Sequence, residues 1–475
     1  MKLIIQKKKI INIFYFYKNK YLFIDILKII ICIYIIIKLI IYKIRISIFN
    51  FELNENYLTI KNNLNFSFNN SLTSKIRIGI YAYTMKNGGR ARITALLLNY
   101  LNTIKIFKIY LFTVRMRQDN EYIFPKNIKR IITGNNLIKY IKGYKIDILI
   151  YQLDYINEIK YLNKINDMKI LFYIHSSTFD WIYGNYTMFK ILYNEYINSR
   201  YLVSLVPFEN DYIFKKWGIK SILMNNFMTY DYFSIIPSNL STKQIIMLGR
   251  ANDKKKRFKL GILSMEYILQ DIPQCELNII SNLTGINSQQ NLINNLNLKS
   301  NIKFIGYSSI PENFFKNASL NIFPSISESF GLVLSETKLY GIPNLLLGLD
   351  YVAISNKGTK IIYDDTPESL AKCVIRILKN SIYRRILGKE AKKSMLNFNN
   401  NLLLEKWTLL IMGIYNGNEY YKKFREKNKK IDFRDYMNIL KNQIDLMNMR
   451  KKFVEIININ NFENFTFMSN LTEIK

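Results

Sequence analysis

Residues 321–345 read Asn-Ile-Phe-Pro-Ser-Ile-Ser-Glu-Ser-Phe-Gly-Leu-Val-Leu-Ser-Glu-Thr-Lys-Leu-Tyr-Gly-Ile-Pro-Asn-Leu, and this stretch decides the fold. The apolar run Leu320 to Phe323 predicts a short strand. Pro324 and the serines after it break that strand, and Ser327 or Ser329 can cap a helix. Phe330, Val333 and Leu334 then share one face at helical spacing, and Gly341 and Pro343 end the helix. Strand, tight turn and helix in succession mark the place where an α/β sheet receives phosphates. Glu328 falls in the turn and Glu336 about two turns into the helix, roughly 10 Å apart along its axis. That separation reaches from a sugar at the helix mouth, past a diphosphate, to a ribose. Free N–H groups at the helix start favour an anion, and Gly331 lets the backbone come close. The Glu336 carboxylate can accept hydrogen bonds from a vicinal diol.

Upstream, the strand Gln244 to Leu248 leads into Gly249-Arg250. Asp253-Lys-Lys-Lys256-Arg257-Phe258 follows, then an apolar helix from Leu260 to Leu269. An arginine fork and a lysine point charge just past a strand end suit a diphosphate, although most lysine runs are simply solvated. Further strands are expected at Glu276 to Ser281, Asn301 to Gly306, Asn344 to Gly348 and Ile361 to Tyr363, with helices at Ile310 to Asn317 and Pro367 to Leu378. The order βαβ predicts a parallel sheet.

A second such unit opens at Lys75. Ile76 to Tyr83 reads as a buried first strand. Lys86-Asn-Gly88-Gly89-Arg90 follows, then an apolar helix from Ile93 to Leu101, so another turn sits at a helix N-terminus. Strands are expected at Ile106 to Val114, Ile128 to Ile132, Ile146 to Gln152 and Met168 to Ser176. The last ends in Ile174-His175-Ser176-Ser177, which puts the chain's one histidine at a strand's carboxyl end, where ligands bind. A short strand, Tyr201 to Val206, and a helix from Glu209 to Gly218 precede a polar linker ending near Thr242.

Glu328-Ser-Phe-Gly-Leu-Val-Leu-Ser-Glu336, followed by Gly341-Ile-Pro343, resembles the Glu-x7-Glu signature of family 4 retaining glycosyltransferases. The resemblance spans roughly residues 75–415. It implies the GT-B fold, with two Rossmann-like α/β domains facing a cleft, and a nucleoside-diphosphate sugar as donor, UDP- or GDP-linked. It implies that Glu328 faces the donor sugar and Glu336 the ribose, with Ser329, Phe330, Gly331 and Leu332 forming the helix mouth. Gly-Arg followed by Lys-Arg-Phe is similar to the family's phosphate clamp. Arg250 and Lys256 match it, with Lys254 and Lys255 as competing lysines. Gly306-Tyr307 corresponds to a turn against the base. Gly88-Gly89 resembles the loop that reaches the cleft, with Arg90 or Arg92 as its arginine. His175 stands where the family often has a histidine near the donor sugar and the acceptor. Asn344 departs from the family, which more often has an apolar residue there.

The resemblance thus implies catalytic work for Glu328, His175, Arg250 and Lys256, on a glycan, lipid or other hydroxyl acceptor. Cationic groups can replace a metal, and no DxD dyad stands at an evident site, since Asp364-Asp365 is a loop pair. A metal-independent reaction with no cofactor beyond the donor is the expectation. Two rivals use the same residues differently. One is a two-carboxylate glycoside hydrolase. The other is a basic membrane- or nucleic-acid-binding protein on a degenerate transferase fold.

The 475 residues are 49% hydrophobic, enough for two or more domains. The expected division is a basic N-terminus and anchor (1–45), a linker (46–74), an acceptor-side domain (75–230), a linker (231–242), a donor-side domain (243–400), and a crossing helix with a basic tail (401–475). The formal charge of +33 is spread along the whole chain. With no zinc-ligand cluster, RNA-binding signature or Arg-rich block, it speaks for phosphate or membrane rather than nucleic acid. Three scattered cysteines and one histidine support neither a disulfide framework nor a His-based metal centre. Residues 21–42 are apolar and long enough for a single membrane span, although Asp25, Lys28 and Lys38 interrupt them.

Overall fold

The computed structural model describes residues 75–86, 88–152, 168–178, 201–250, 253–306, 312–347, 357–362, 364 and 366–417. The expected span at 21–42, the stem, Tyr307, Asp365 and the basic tail lie outside these. Among the described residues no helix is long and apolar enough to cross a membrane.

Two all-parallel sheets organise the compact unit Lys75–Lys475. The first holds β1 (Ile76–Ala82), β2 (Phe107–Thr113), β3 (Lys129–Ile132), β4 (Ile148–Tyr151), β5 (Lys169–Tyr173), β6 (Tyr201–Ser204) and β7 (Ile222–Leu223), in the order β3-β2-β1-β4-β5-β6-β7. The second holds β8 (Gln244–Leu248), β9 (Glu276–Ile280), β10 (Ile302–Ile305), β11 (Ala318–Phe323), β12 (Asn344–Leu347) and β13 (Thr359–Ile362), in the order β10-β9-β8-β11-β12-β13. Most central strands are buried along their length, which is why they read as near-continuous apolar runs. In each sheet the chain moves outward one way, then returns and moves the other way. The strand order therefore reverses between β1 and β4 and between β8 and β11, and ligand crevices belong at the carboxyl ends there.

The helices are α1 (Gly89–Leu101), α2 (Leu137–Gly143), α3 (Pro207–Trp217), α4 (Phe258–Asp271), α5 (Asn287–Asn295), α6 (Glu312–Phe315), α7 (Leu332–Leu339), α8 (Pro367–Lys379), α9 (Ser381–Ser394) and α10 (Asn400–Asn416). Helix α10 packs into the first sheet's core: Leu403, Trp407, Leu410, Ile411 and Ile414 cluster with Ile78, Ile148 and Leu171. Lys169 Nζ donates to the carbonyls of Ile414 and Tyr415 at 2.8 and 2.6 Å, closing the helix end.

The expected start of the helix in the decisive stretch needs correction. Helix α7 starts at Leu332, with Gly331 at its N-cap in the left-handed region (φ +74°) and no side-chain cap. Neither Ser327 nor Ser329 caps it, Glu336 lies one turn inside it rather than two, and Glu328 lies wholly outside its axis. The glycine turn does the work expected of a serine cap, because only a residue without Cβ takes that φ freely. Asn344 does not loosen its strand. Its amide accepts from Asn321 Nδ2 at 2.6 Å and Thr337 Oγ1 at 2.8 Å and donates to the Ile342 carbonyl at 2.9 Å, a buried polar cluster that stands in for an apolar contact.

Candidate active site

Both reversal points open on one cavity of about 1080 Å³. Its first-sheet wall comes from the segment after β1, from α1 and from His175. Its second-sheet wall comes from the ends of β8, β9 and β11 and from the start of α7. Arg250, Lys256, Glu328, Glu336 and His175 all line it, as do Gly88, Gly89, Ser329, Phe330, Gly331 and Leu332. The two walls meet closely: a Cβ built on Gly89 would lie 3.3 Å from Leu332 Cδ1. Gly88 sits at φ +91°, so the loop turns there by virtue of having no side chain.

A smaller recess of about 460 Å³ is bounded by His175, Ser176 and Ser177 on one side and Arg250, Lys255, Lys256, Ser327, Glu328 and Ser329 on the other. One turn of 3-10 helix, Lys254–Lys256, presents the lysines. Asp253 caps it by accepting from the Lys255 N–H at 3.1 Å. Of the three lysines, Lys256 reaches the carboxylates, forming an ion pair with Glu328. Gly249 leaves room for its stem, since a Cβ there would sit 3.0 Å from Lys256 Cγ. Arg250 is 73% exposed and bonds Asp253 at 3.0 Å, a surface-type pair that exchanges readily for a better anion.

Glu336 is 3% exposed, and its Oε1 accepts from Arg92 at 2.8 Å and from Thr229 Oγ1 at 2.8 Å. Of the two candidate arginines, Arg92 thus bridges the domains to Glu336, while Arg90 bonds Ser176 Oγ at 3.2 Å beside His175. His175 is buried, with Tyr173 against its ring at 4.1 Å and Gln152 on Nε2 at 2.9 Å. Burial, helped by the Arg90 charge, holds its pKa well below the usual imidazole value, so the ring is neutral at pH 7.

One expected site residue stands apart, and another turns its side chain away. Gly306 follows β10 and does not line the cavity; Ile280, Ser281 and Asn282, at the end of neighbouring β9, do. Strand β10 is the outermost of its sheet, one strand too far from the reversal point. Phe330 meets the cavity, but its side chain is 1% exposed and belongs to the first sheet's core, 6.1 Å from Phe398.

Residues 231–394 match the family model described as Glycosyl transferases group 1. The chain is 23% identical over 203 residues to the exopolysaccharide phosphotransferase SCO2592 of Streptomyces coelicolor, a match covering 42% of this chain and 22% of that one. It is 23% identical over 176 residues to the poly(glycerol-phosphate) alpha-glucosyltransferase of Bacillus subtilis, covering 36% and 26%. The chain therefore spans about a quarter of the length of these curated relatives. Sucrose-phosphate synthase from Thermosynechococcus elongatus has the same fold, with a TM-score of 0.62 at 16% identity, over 72% of this chain and 100% of that one. So has Anabaena HepE, solved with UDP and glucose, with a TM-score of 0.59 at 12% identity, over 71% and 100%. The group 1 domain and these neighbours support the GT-B glycosyltransferase superfamily.

Thr229, Asp253, Ser281, Asn282 and Gln152 reach the site or its backing without having been singled out in the sequence. Thr229 lies 107 positions from the carboxylate it bonds, at the very end of what reads as the acceptor-side domain. Asp253 was in view, as the residue opening the lysine run, and its capping spacing was the signal that could have found it.

Proposed function

We propose that this chain is a retaining, family 4-type glycosyltransferase that moves a sugar from a nucleoside diphosphate, UDP or GDP, to a hydroxyl acceptor on a glycan or lipid. The observation that carries the reading is the convergence of Arg250, Lys256, Glu328 and Glu336 on one cavity where both sheets reverse. The donor diphosphate lies between Arg250 and Lys256 at the mouth of α7. As the glycosidic bond breaks, negative charge grows on the leaving phosphate, and these two cations with the α7 N–H groups stabilise it. Lys256 and Arg250 reach this state by exchanging Glu328 and Asp253 for phosphate oxygens. That exchange frees the Glu328 carboxylate to orient the sugar. Glu336 holds the ribose diol, and His175 lies on the side from which the acceptor arrives. Two cations at the leaving group favour a reaction without a divalent metal. HepE, a fold neighbour solved with UDP and glucose, supports UDP as the first donor to try. The proposal includes an N-terminal membrane anchor at residues 21–42, which would hold the enzyme near a lipid-linked acceptor.

The test is a screen of UDP- and GDP-sugars for transfer or slow hydrolysis by the purified chain, with and without excess chelator. Sugar release that survives chelation and is lost in Arg250→Ala and Glu328→Ala supports the reading. Hydrolysis of a glycoside that needs no nucleotide would favour the two-carboxylate hydrolase instead.

A further inference from the structure

Gln152 is a buried polar side chain directly behind the cleft. It follows β4 and is 1% exposed. One of its amide atoms meets both His175 Nε2, at 2.9 Å, and Thr94 Oγ1, at 3.3 Å. The Thr94 hydroxyl can give its one proton to the Arg90 carbonyl at 2.9 Å or to the Gln152 oxygen. With the Gln152 oxygen turned toward these two groups, the Thr94 hydroxyl and a protonated His175 Nε2 would both donate to it. The amide NH2 would then be the buried group without a partner at its other end. Turned the other way, the NH2 donates one hydrogen to Thr94 Oγ1 and one to His175 Nε2, and a single carbonyl oxygen goes unpaired. The two amide atoms are nearly isosteric, so the count of donors and acceptors decides between the orientations. Stranding two buried donors is the worse outcome.

His175 Nε2 is then an acceptor, and the proton of the neutral ring sits on Nδ1. Among the described residues Nδ1 has no hydrogen-bond partner, and it is not among the buried unpaired atoms, so it keeps access to the cavity that His175 lines. Tyr173 holds the ring plane from one side, itself anchored by its hydroxyl on Asn226 at 2.6 Å. We propose that Gln152 is a positioning residue that fixes His175 as the Nδ1–H tautomer, so that the ring gives a bound sugar a hydrogen-bond donor and does not serve as a general base. Burial and the Arg90 charge keep the ring from taking a second proton. The mention of a sugar rests on the transferase reading; the tautomer does not.

His175 is the only histidine in the chain, so full-length protein made on ring-15N histidine and purified without a histidine tag reports one imidazole. The expected spectrum shows Nε2 as an unprotonated, pyridine-type nitrogen and Nδ1 as a protonated, pyrrole-type one through the neutral range. Gln152→Glu places an acceptor-only group against Nε2. It is expected to draw a proton onto that nitrogen and to lower kcat for transfer roughly tenfold, with donor KM changed by less than about twofold. Gln152→Met offers neither donor nor acceptor and is expected to give a mixture of tautomers. A wild-type ring protonated on Nε2, or a Gln152→Met spectrum identical to wild type, overturns the proposal. The expected wild-type tautomer in a protein that transfers no sugar would uphold the assignment and overturn the transferase reading instead.

Discussion

At the scale of single residues, Lys256 and Glu328 form an ion pair and Arg250 leans on Asp253. Each carries its charge toward one recess, and neither partner is needed to hold a sheet together. Arg250→Ala and Glu328→Ala are therefore expected to cut sugar transfer by about 10²–10³-fold while leaving the thermal midpoint nearly unchanged, which parallel rate and melting measurements would check. Lys338 is the opposite case: it is 1% exposed, and Ser394 Oγ at 3.2 Å is its hydrogen-bond partner. Burial pushes its pKa down to about 7, from 10.5 for a free lysine. Between those values the unfolded chain binds a proton that the folded chain has released, so stability rises with pH across that window. Below pH 7 the fold carries a buried ammonium. Lys338→Met is expected to stabilise the protein most at pH 6.5 and to flatten this dependence, as urea unfolding at pH 6.5 and 9 would read. The charged site residues were legible because each stands at a strand end or a turn, where local pattern marks it. Thr229 and Gln152 were harder to single out, because each acts through a partner in a distant segment and nothing local distinguishes it; Arg92 was in view beside Arg90, and only its distant partner Glu336 separates the two.

At the scale of elements, α7 is held against α9 by glycines. A Cβ on Gly388 would lie 2.4 Å from the Gly341 carbonyl oxygen, and one on Gly358 would lie 2.2 Å from the Ala391 nitrogen, with φ already at +66°. These are backbone atoms that cannot step aside. Gly358→Ala is expected to cost about 2–4 kcal/mol, measurable by denaturant unfolding, and to displace α9, against which the helix that carries Glu336 packs. The pattern Gln244 to Leu248 predicted its strand to the residue, and α1, α4 and α8 declared themselves by apolar spacing. Helices α5 and α9 did not. Asn287–Asn295 is nearly all polar and buries only Ile293. Helix α9 buries Arg384, Leu387, Gly388 and Ala391, a face that no hydrophobic periodicity would reveal. The start of α7 was misread for a related reason: a glycine in the left-handed region took the position expected for a serine cap.

For the molecule as a whole, the chain runs from the second sheet back into the first. Asn400 at the start of α10 donates to Tyr100 Oη at 2.7 Å and to the Met228 carbonyl at 2.9 Å, tying the returning helix to α1 and to the crossing segment. Trp407 then lies wholly buried among first-sheet residues, its ring 5.1 Å from that of Tyr173. The returning helix thus also backs the ring that holds His175. Trp407→Ala is expected to cost about 3–5 kcal/mol and to lower transfer even at temperatures where the protein stays folded, a pairing that melting curves and rates on one sample would test. The two-sheet layout was readable from the βαβ rhythm, and the family resemblance implied a returning helix. Its place within the first core appears only when the chain is folded.

The central claim is that Arg250 and Lys256, at the mouth of α7, grip a diphosphate. Calorimetric titration of UDP and GDP into the full chain and into the Arg250→Ala/Lys256→Ala variant tests it most directly. The account predicts saturable one-to-one binding of one of these nucleotides, weakened by at least about 100-fold in the variant. Equal binding by both proteins, or no binding of either nucleotide to the wild type, would contradict it.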